Sequence, residues 1–296
     1  MFDLRYHVAS LAAVFLALIV GILVGVGISG RGFVDKSERK KLEARIEGLH
    51  SRLDATQQHA GDLSRQQQAS AAFIKDAYPA LMHDRLKGMR IALVFVGSID
   101  GAVRENVETA LGDADAKPLL RIRALKVPID AGALDAILTG RPAFARYVGD
   151  DQLGRLGRAL GKELVAGGDT PLWDALSPRL VEERFGGQKR PADGVVVVRS
   201  APPQQQATAR LMRGLYAGLS AGGAPAVGVE ASDHKPSAVK TFAQEGLSTV
   251  DDVDTATGRL ALALLLAGGD PGDYGLKDTA SDGILPPIQP LPAQGG

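Results

Sequence analysis

The chain of 296 residues has no cysteine, few aromatic residues and no excess of charge of either sign. The absence of cysteine excludes disulfides, thiolate nucleophiles, iron–sulfur clusters and every zinc site with a cysteine ligand. Because 34 basic residues are balanced by 34 acidic ones, no overall positive charge favours nucleic acid as a partner. The lack of cysteine does not identify the cellular compartment, since a chain of this length can fold without disulfides on either side of a membrane.

The first 30 residues contain a long uncharged run. Residues 8–30 form 23 consecutive positions without a charged side chain, and as a helix they would extend roughly 34 Å at about 1.5 Å per residue. We interpret residues 1–30 as a single-pass membrane anchor, with a cleaved signal peptide as the alternative. Basic residues are concentrated after the run, which favours a cytoplasmic location for the bulk of the chain. Long domains, however, translocate largely regardless of such charge. Charge therefore leaves the topology open.

The glycines of this run allow two interpretations. Residues 25–30 match the G-x-G-x-x-G pattern of dinucleotide-binding loops, yet that motif needs a strand before it and a helix after it. Gly21 and Gly25 instead form a GxxxG pair, which brings membrane helices into close contact. The pair therefore indicates either helix association or the ordinary glycine content of a membrane helix.

Residues 31–88 carry a heptad pattern. Of twelve seam positions from Leu42 to Leu81, nine are apolar, and no proline occurs before Pro79. This spacing predicts a coiled-coil stalk and hence a homo-oligomer, although the seam specifies neither strand number nor orientation. The alternative is one amphipathic helix packed on the globular domain. The large apolar seam residues are Leu42, Ile46, Leu49, Leu53, Leu63, Ile74 and Leu81.

Residues 89–269 alternate short apolar runs with helical periodicity. This alternation predicts an α/β domain with a mainly parallel, doubly wound, Rossmann-like sheet. Residues 195–198, all valine, are typical of a strand buried on both faces. Residues 120–124 alternate apolar residues with arginine, which predicts a half-exposed edge strand.

Two short motifs in this domain resemble ligand or catalytic sites. Residues 97–101 (GSIDG) follow the first predicted strand, where α/β folds bind ligands, but we favour a strand-to-helix turn with an N-cap. Residues 218–222 match the G-x-S-x-G nucleophile elbow, but Ser220 ends a helical pattern instead of following a strand. No motif lies in a catalytic context, so we expect no enzymatic activity.

Met82, His83 and Met89 form the candidate metal site, because thioether and imidazole groups are soft ligands suited to Cu(I). The alternative is a solvated histidine between core methionines. A second candidate for a metal is the acidic group of residues 251–254, which also suits the N-terminus of a following helix capped by Thr255. We favour the capping role.

Residues 270–296 are rich in glycine and proline and show neither helical nor strand periodicity. We expect an extended tail, disordered beyond Ile284, with Tyr274 and Leu276 packed back on the domain. The prolines also suit a polyproline-like partner ligand, although an inert terminus is the default.

Two segments together resemble the MctB family of bacterial envelope proteins, named for copper transport. They are residues 4–25, beginning LRYHV, and residues 248–255 (STVDDVDT), followed by Gly258, residues 274–275 and residues 285–286. The order of anchor, stalk, α/β domain and proline-rich end is also similar. The resemblance implies a cell-envelope location with most of the chain outside the cytoplasm and a link to copper. SteB-like relatives imply partner binding in envelope growth.

Two functions therefore remain open. The first is a role in copper transport or homeostasis, implied by the resemblance, with copper as a possible ligand. The second is a non-enzymatic structural or regulatory role, in which the coiled coil and the α/β domain bind an envelope protein. A pore is not expected from this chain alone, because a single membrane helix cannot enclose one.

Overall fold

The structure, a computed structural model, describes residues 4–29, 33–98, 100–116, 119–185 and 190–289. The chain divides into two compact units, Met1–Ser70 and Ala71–Gly296. The helices are α1 (Leu4–Ser29), α2 (Phe33–Met82), α3 (Gly101–Asp113), α4 (Ala131–Thr139), α5 (Leu153–Ala166), α6 (Pro171–Leu180), α7 (Gln206–Ser220), α8 (Val239–Gln244) and α9 (Ala256–Leu266). The strands are β1 (Ile91–Val96), β2 (Leu119–Leu125), β3 (Val181–Phe185), β4 (Gly194–Arg199), β5 (Ala226–Val229), β6 (Ser248–Val250) and β7 (Asp273–Tyr274). Two 3-10 helices, Pro142–Tyr147 and Asp150–Gln152, precede α5.

Helix α1 is long and apolar enough to cross a membrane over His7–Gly27. Its large apolar side chains from Val8 to Val26 are exposed, as a lipid-facing helix requires. The G-x-G-x-x-G glycines at positions 25 and 27 lie inside this helix, which confirms that the motif lacks the strand and turn of a nucleotide loop. Its last glycine, at position 30, lies outside the described residues.

Helix α2 is a single helix of 50 residues, and it continues through Pro79. The apolar seam residues Leu42, Ile46, Leu49, Leu53 and Leu63 are all exposed. Ile74 is also exposed, whereas Leu81 packs against the core of the α/β unit. A long helix is thus confirmed, while its pairing with another copy stays a prediction.

The sheet has seven strands in the order β3-β2-β1-β4-β5-β6-β7. All neighbours are parallel except β2 and β3. Because successive side chains of a strand point to opposite faces, each central strand contributes to two cores. In β4, Val195 and Val197 join the core formed with α4–α8, and Val196 and Val198 join the one formed with α3 and α9. The predicted α/β class with a mainly parallel, doubly wound sheet is confirmed.

Helices α5 and α7 approach each other until their backbones touch. A Cβ atom built on Gly157 would lie 2.1 Å from the carbonyl oxygen of Leu211, and one on Gly161 would lie 2.5 Å from that of Leu215. From the other side, a Cβ on Gly214 would lie 2.1 Å from the carbonyl oxygen of Gly154. Glycine is therefore required at this crossing, because a side chain would force the two helices apart.

The prediction that residues 120–124 form a sheet edge is wrong. Strand β3 pairs antiparallel with β2 on its outer side, with Arg123 opposite Arg184. Arg123 is buried, and its guanidinium stacks 4.7 Å from the centre of the Trp173 ring. Strand β3 (VEERF) is too charged to be recognised as a strand from its sequence pattern. The sequence also does not distinguish an arginine that is covered by an aromatic ring from one exposed to solvent.

The segment interpreted as a tail begins with part of the sheet. Strand β7 pairs with β6, with Val250 opposite Tyr274. Tyr274 is buried as expected, whereas Leu276 is exposed, so the expectation for Leu276 is wrong. A two-residue strand is too short to produce a periodic pattern in the sequence.

Candidate functional site

The end of α2 carries a cluster of potential metal ligands. His83, Asp84 and Asp115 each offer a ligand atom, and these atoms lie within 4.8 Å of one another. The Nδ1 atom of His83 is 3.6 Å from a carboxylate oxygen of Asp115, and its Nε2 atom is 3.9 Å from one of Asp84. The His83 side chain is 74% exposed, so an ion from solution can reach it.

Backbone contacts between two turns hold the cluster together. Asp84, just after α2, and Asp115, just after α3, both have positive φ angles, a conformation that aspartate tolerates better than most residues. The amide of Asp84 donates to the Asp115 carboxylate at 3.1 Å, and the amide of Leu86 donates to the carbonyl of Ala114 at 2.7 Å. The two acidic side chains are thus positioned by the chain itself.

The charge of the cluster suits a cation. Lys87 donates to the Asp84 carboxylate at 2.7 Å, and this contact lowers the pKa of Asp84. A lowered pKa keeps the carboxylate ionised at neutral pH, and a bound cation would share it with the Lys87 ammonium. One imidazole nitrogen and carboxylate oxygens form a donor set typical of Cu(II), since Cu(II) prefers nitrogen and oxygen in tetragonal geometry.

The two methionines of the sequence-predicted metal site are less exposed than its histidine. Met82 is completely buried in the core beneath the sheet, and Met89 packs against the same core. Only His83 of the three is exposed. The most exposed donor of the three is therefore the His83 imidazole, and nitrogen with oxygen ligands suits Cu(II), whereas thioethers suit Cu(I).

The turn after β1, the alternative ligand site of the sequence, packs closely against the loop after β4. Gly97 has a φ of +93°, and a Cβ atom there would lie 2.8 Å from the Cβ of Ala201. The amide of Ala201 donates to the carbonyl of Val96 at 3.1 Å, so the loop after β4 fills the position where doubly wound folds bind nucleotides. Asp100 accepts from the amides of Ala102 and Val103, which confirms the capping interpretation. Ile99 lies outside the described residues.

The other sequence candidates have structural roles. Ser220 is the last residue of α7, as expected for a residue outside a nucleophile elbow. Its hydroxyl donates to the carbonyl of Gly246 at 2.8 Å. Thr255 caps α9 by accepting from the amide of Gly258, as predicted. Asp251 accepts from the amides of Leu276 and Lys277, so this acid binds the segment after β7.

Comparison with known proteins identifies the family. The family model described as "Copper transport outer membrane protein, MctB" matches residues 1–285. The chain belongs to the MctB family. Membership implies a role in copper transport or homeostasis and places the chain among membrane-associated envelope proteins.

Curated MctB relatives match over nearly their whole length. Proteins named "Copper transporter MctB" from Mycobacterium bovis and from two strains of Mycobacterium tuberculosis are 27% identical to this chain over 319 aligned positions. The alignment covers 93% of this chain and 96% of each relative. The N-terminal apolar helix is consistent with the envelope location of the MctB family, as a membrane anchor or a signal sequence.

Of the cluster of His83, Asp84 and Asp115, the sequence analysis identified only His83. Asp84 could have been identified as well, because it is the next residue in the sequence. Asp115 lies 31 residues after Asp84 and approaches it only because α3 returns the chain to the end of α2. Gly21 and Gly25 lie in α1, with no heavy atom within 4 Å of a built Cβ, and their role in helix association stays a prediction.

Proposed function

We propose that this MctB-family chain is anchored in the membrane by α1 and binds Cu(II) through His83, Asp84 and Asp115. The observation that carries the proposal is the convergence of these three exposed or half-buried ligands within 4.8 Å in a chain of a copper transport family. Copper is the cargo of the proposed site. The protein holds it temporarily, because an exposed three-ligand site leaves coordination positions for water or for a partner's ligand.

The role that we propose is non-enzymatic, with the bulk of the chain outside the cytoplasm. It is supported by the Ser220 hydroxyl, which is engaged with Gly246, and by the close packing of the turn at Gly97. The envelope location of the family supports the orientation.

The copper proposal is tested by Cu(II) titration of the full chain in detergent micelles against a chelator of known affinity. We expect one Cu(II) per chain, and the substitution His83→Ala should weaken binding at least about tenfold, since even indirect partners of metal ligands contribute 10- to 100-fold. Asp115→Asn should weaken it similarly. The matched control is His59→Ala, because His59 is an exposed histidine of α2 that lies 24 residues before His83.

Two results would contradict the copper proposal. One is Cu(II) binding that His83→Ala leaves unchanged. The other is stoichiometric binding of Cu(I) that depends on Met89, which would restore the original thioether hypothesis for Met82, His83 and Met89.

The second function that we propose is partner binding by a self-associating stalk. It is supported by the exposure of Leu42, Ile46, Leu49 and Leu53, whose 3–4 spacing suits the seam of a coiled coil. Since the chain lacks cysteine, Leu49→Cys introduces a single thiol at a d position of the seam. We expect disulfide cross-linking of membrane-embedded protein for Leu49→Cys and little for Ser51→Cys, at the opposite f position. Equal cross-linking of both variants would exclude the predicted seam.

A further inference from the structure

A cavity of about 250 Å³ lies at the carboxyl end of β4, between α7 and α8. Arg199, the last residue of β4, follows Val195 and Val197 on the face of the sheet that carries these helices. Met212, Arg213 and Tyr216 of α7 line one side of the cavity. Thr241 and Gln244 of α8 line another.

Arg199 is a buried cation without an anionic partner. Arg199 is only 5% exposed, and its Nε atom is buried with no hydrogen-bond partner among the described residues. Its Nη2 atom donates to the carbonyl of Pro236 at 3.0 Å, a neutral acceptor. Among the described residues no carboxylate forms an ion pair with Arg199. Burial lowers the pKa of Arg199, yet a guanidinium remains charged in proteins.

The nearest candidate counterion is already occupied. Glu230 exerts a favourable charge effect on Arg199. Its carboxylate, however, accepts from the Ser237 hydroxyl at 2.7 Å, the Ala238 amide at 2.6 Å and the Lys277 ammonium at 2.6 Å. Lys277 neutralises much of that charge, so Glu230 offsets the cost of burying Arg199 only in part. A buried charge without an ion-pair partner is costly, and an anion in the cavity would reduce this cost.

Two other lining residues, Arg213 and Tyr216, also offer hydrogen-bond donors. Arg213 is exposed at the mouth of the cavity, and it has no hydrogen bond or ion pair among the residues that the structure describes. Tyr216 is buried, its ring contacts that of Phe242 at 5.1 Å, and burial raises the pKa of its hydroxyl, which therefore stays a protonated donor. Met212 supplies an apolar wall.

We propose that this cavity binds a small organic oxyanion, a carboxylate or a phosphate monoester with an apolar body. The oxyanion would contact Arg199 and Arg213, because the planar guanidinium presents paired donors that match a carboxylate or phosphate. The apolar body would lie against Met212. This site is independent of copper, because it shares no residue with His83, Asp84 and Asp115.

The test compares benzoate, phenyl phosphate and benzamide as probes of the full chain in detergent micelles, by ligand-observed NMR. Benzamide has the shape of benzoate without its charge. A charge-assisted hydrogen bond contributes enough for about a 10- to 100-fold change in affinity, so we expect at least one of the two anions to bind about tenfold more tightly than benzamide. The tighter anion identifies whether the site prefers carboxylate or phosphate.

Variants locate the bound anion. Arg213→Gln and Tyr216→Phe should each reduce affinity for the anion, Arg213→Gln to about that for benzamide. Arg155→Gln is the matched control, because Arg155 is an exposed arginine of α5 that does not line this cavity. Arg199→Gln should also abolish the preference for anions, and if this variant fails to fold, the other two carry the test. Equal binding of all three probes, or equal weakening by Arg155→Gln and Arg213→Gln, would overturn the proposal.

Discussion

Replacing Gly157 by alanine tests the backbone contact between α5 and α7. The added Cβ would lie 2.1 Å from the carbonyl oxygen of Leu211 and 2.7 Å from the amide nitrogen of Leu215. Both are backbone atoms, so no side chain can rotate away, and the helices must separate by about 1.3 Å to move the contact from 2.1 Å to the ordinary distance of 3.4 Å.

The expected cost follows from two opposing effects. Overpacking costs typically 1–3 kcal/mol, and the rigid backbone places this site at the upper end of that range, about 3 kcal/mol. Alanine gains about 1 kcal/mol over glycine in helix propensity. The net loss of unfolding free energy is about 2 kcal/mol, which lowers the Tm by roughly 4–8 °C for a domain of this size.

Trp173 provides the assay for this prediction. It is the sole tryptophan, it is fully buried, and its indole nitrogen donates to the carbonyl of Leu160 in α5 at 2.8 Å. Urea unfolding followed by its fluorescence therefore reports on α5 directly. The control is Gly112→Ala in α3, where a Cβ meets nothing within 4 Å and should stabilise by up to about 1 kcal/mol. If Gly157→Ala unfolds at the same urea concentration as the wild type or higher, the close helix contact is refuted.

Three further predictions concern the carboxylates after β6 and the topology. Asp251→Ala removes the acceptor for the amides of Leu276 and Lys277, so trypsin should cleave after Lys277 faster than in the wild type, and an unchanged rate would contradict this. Burial raises the pKa of Asp252, so the folded state binds its proton more tightly than the unfolded state, and stability decreases as pH rises through the raised pKa. Asp252→Asn should remove this decrease when urea unfolding is measured across a series of acidic to neutral pH values. A stability difference between Asp252→Asn and the wild type that stays constant across the series would be inconsistent with the prediction. A membrane-impermeant maleimide should label Ser51→Cys in intact cells, and labelling only after lysis would place α2 in the cytoplasm.

The architecture was predictable because its signals are local and repeated. The uncharged run of α1, the heptads of α2 and the valines of β4 each repeat one pattern over many residues. The edge of the sheet was not predictable, because β3 is short and charged, and its pairing with β2 depends on the chain returning after α6.

The candidate sites depend on contacts that no short pattern encodes. Asp115 approaches His83 only because α3 packs against the end of α2. The sequence alone does not show that Met82 is completely buried. Likewise, Arg199 looks like an ordinary charged residue at the end of a strand. Its lack of a counterion becomes visible only once Glu230 is seen to bind Lys277.

Pulsed electron paramagnetic resonance of the Cu(II)-loaded full chain tests copper binding by His83, since it detects the remote nitrogen of a coordinated imidazole. We expect modulation from a single histidine that is lost in His83→Ala and retained in His59→Ala. Modulation that survives in His83→Ala, or its absence from the wild type at one bound Cu(II) per chain, would contradict copper binding at the end of α2.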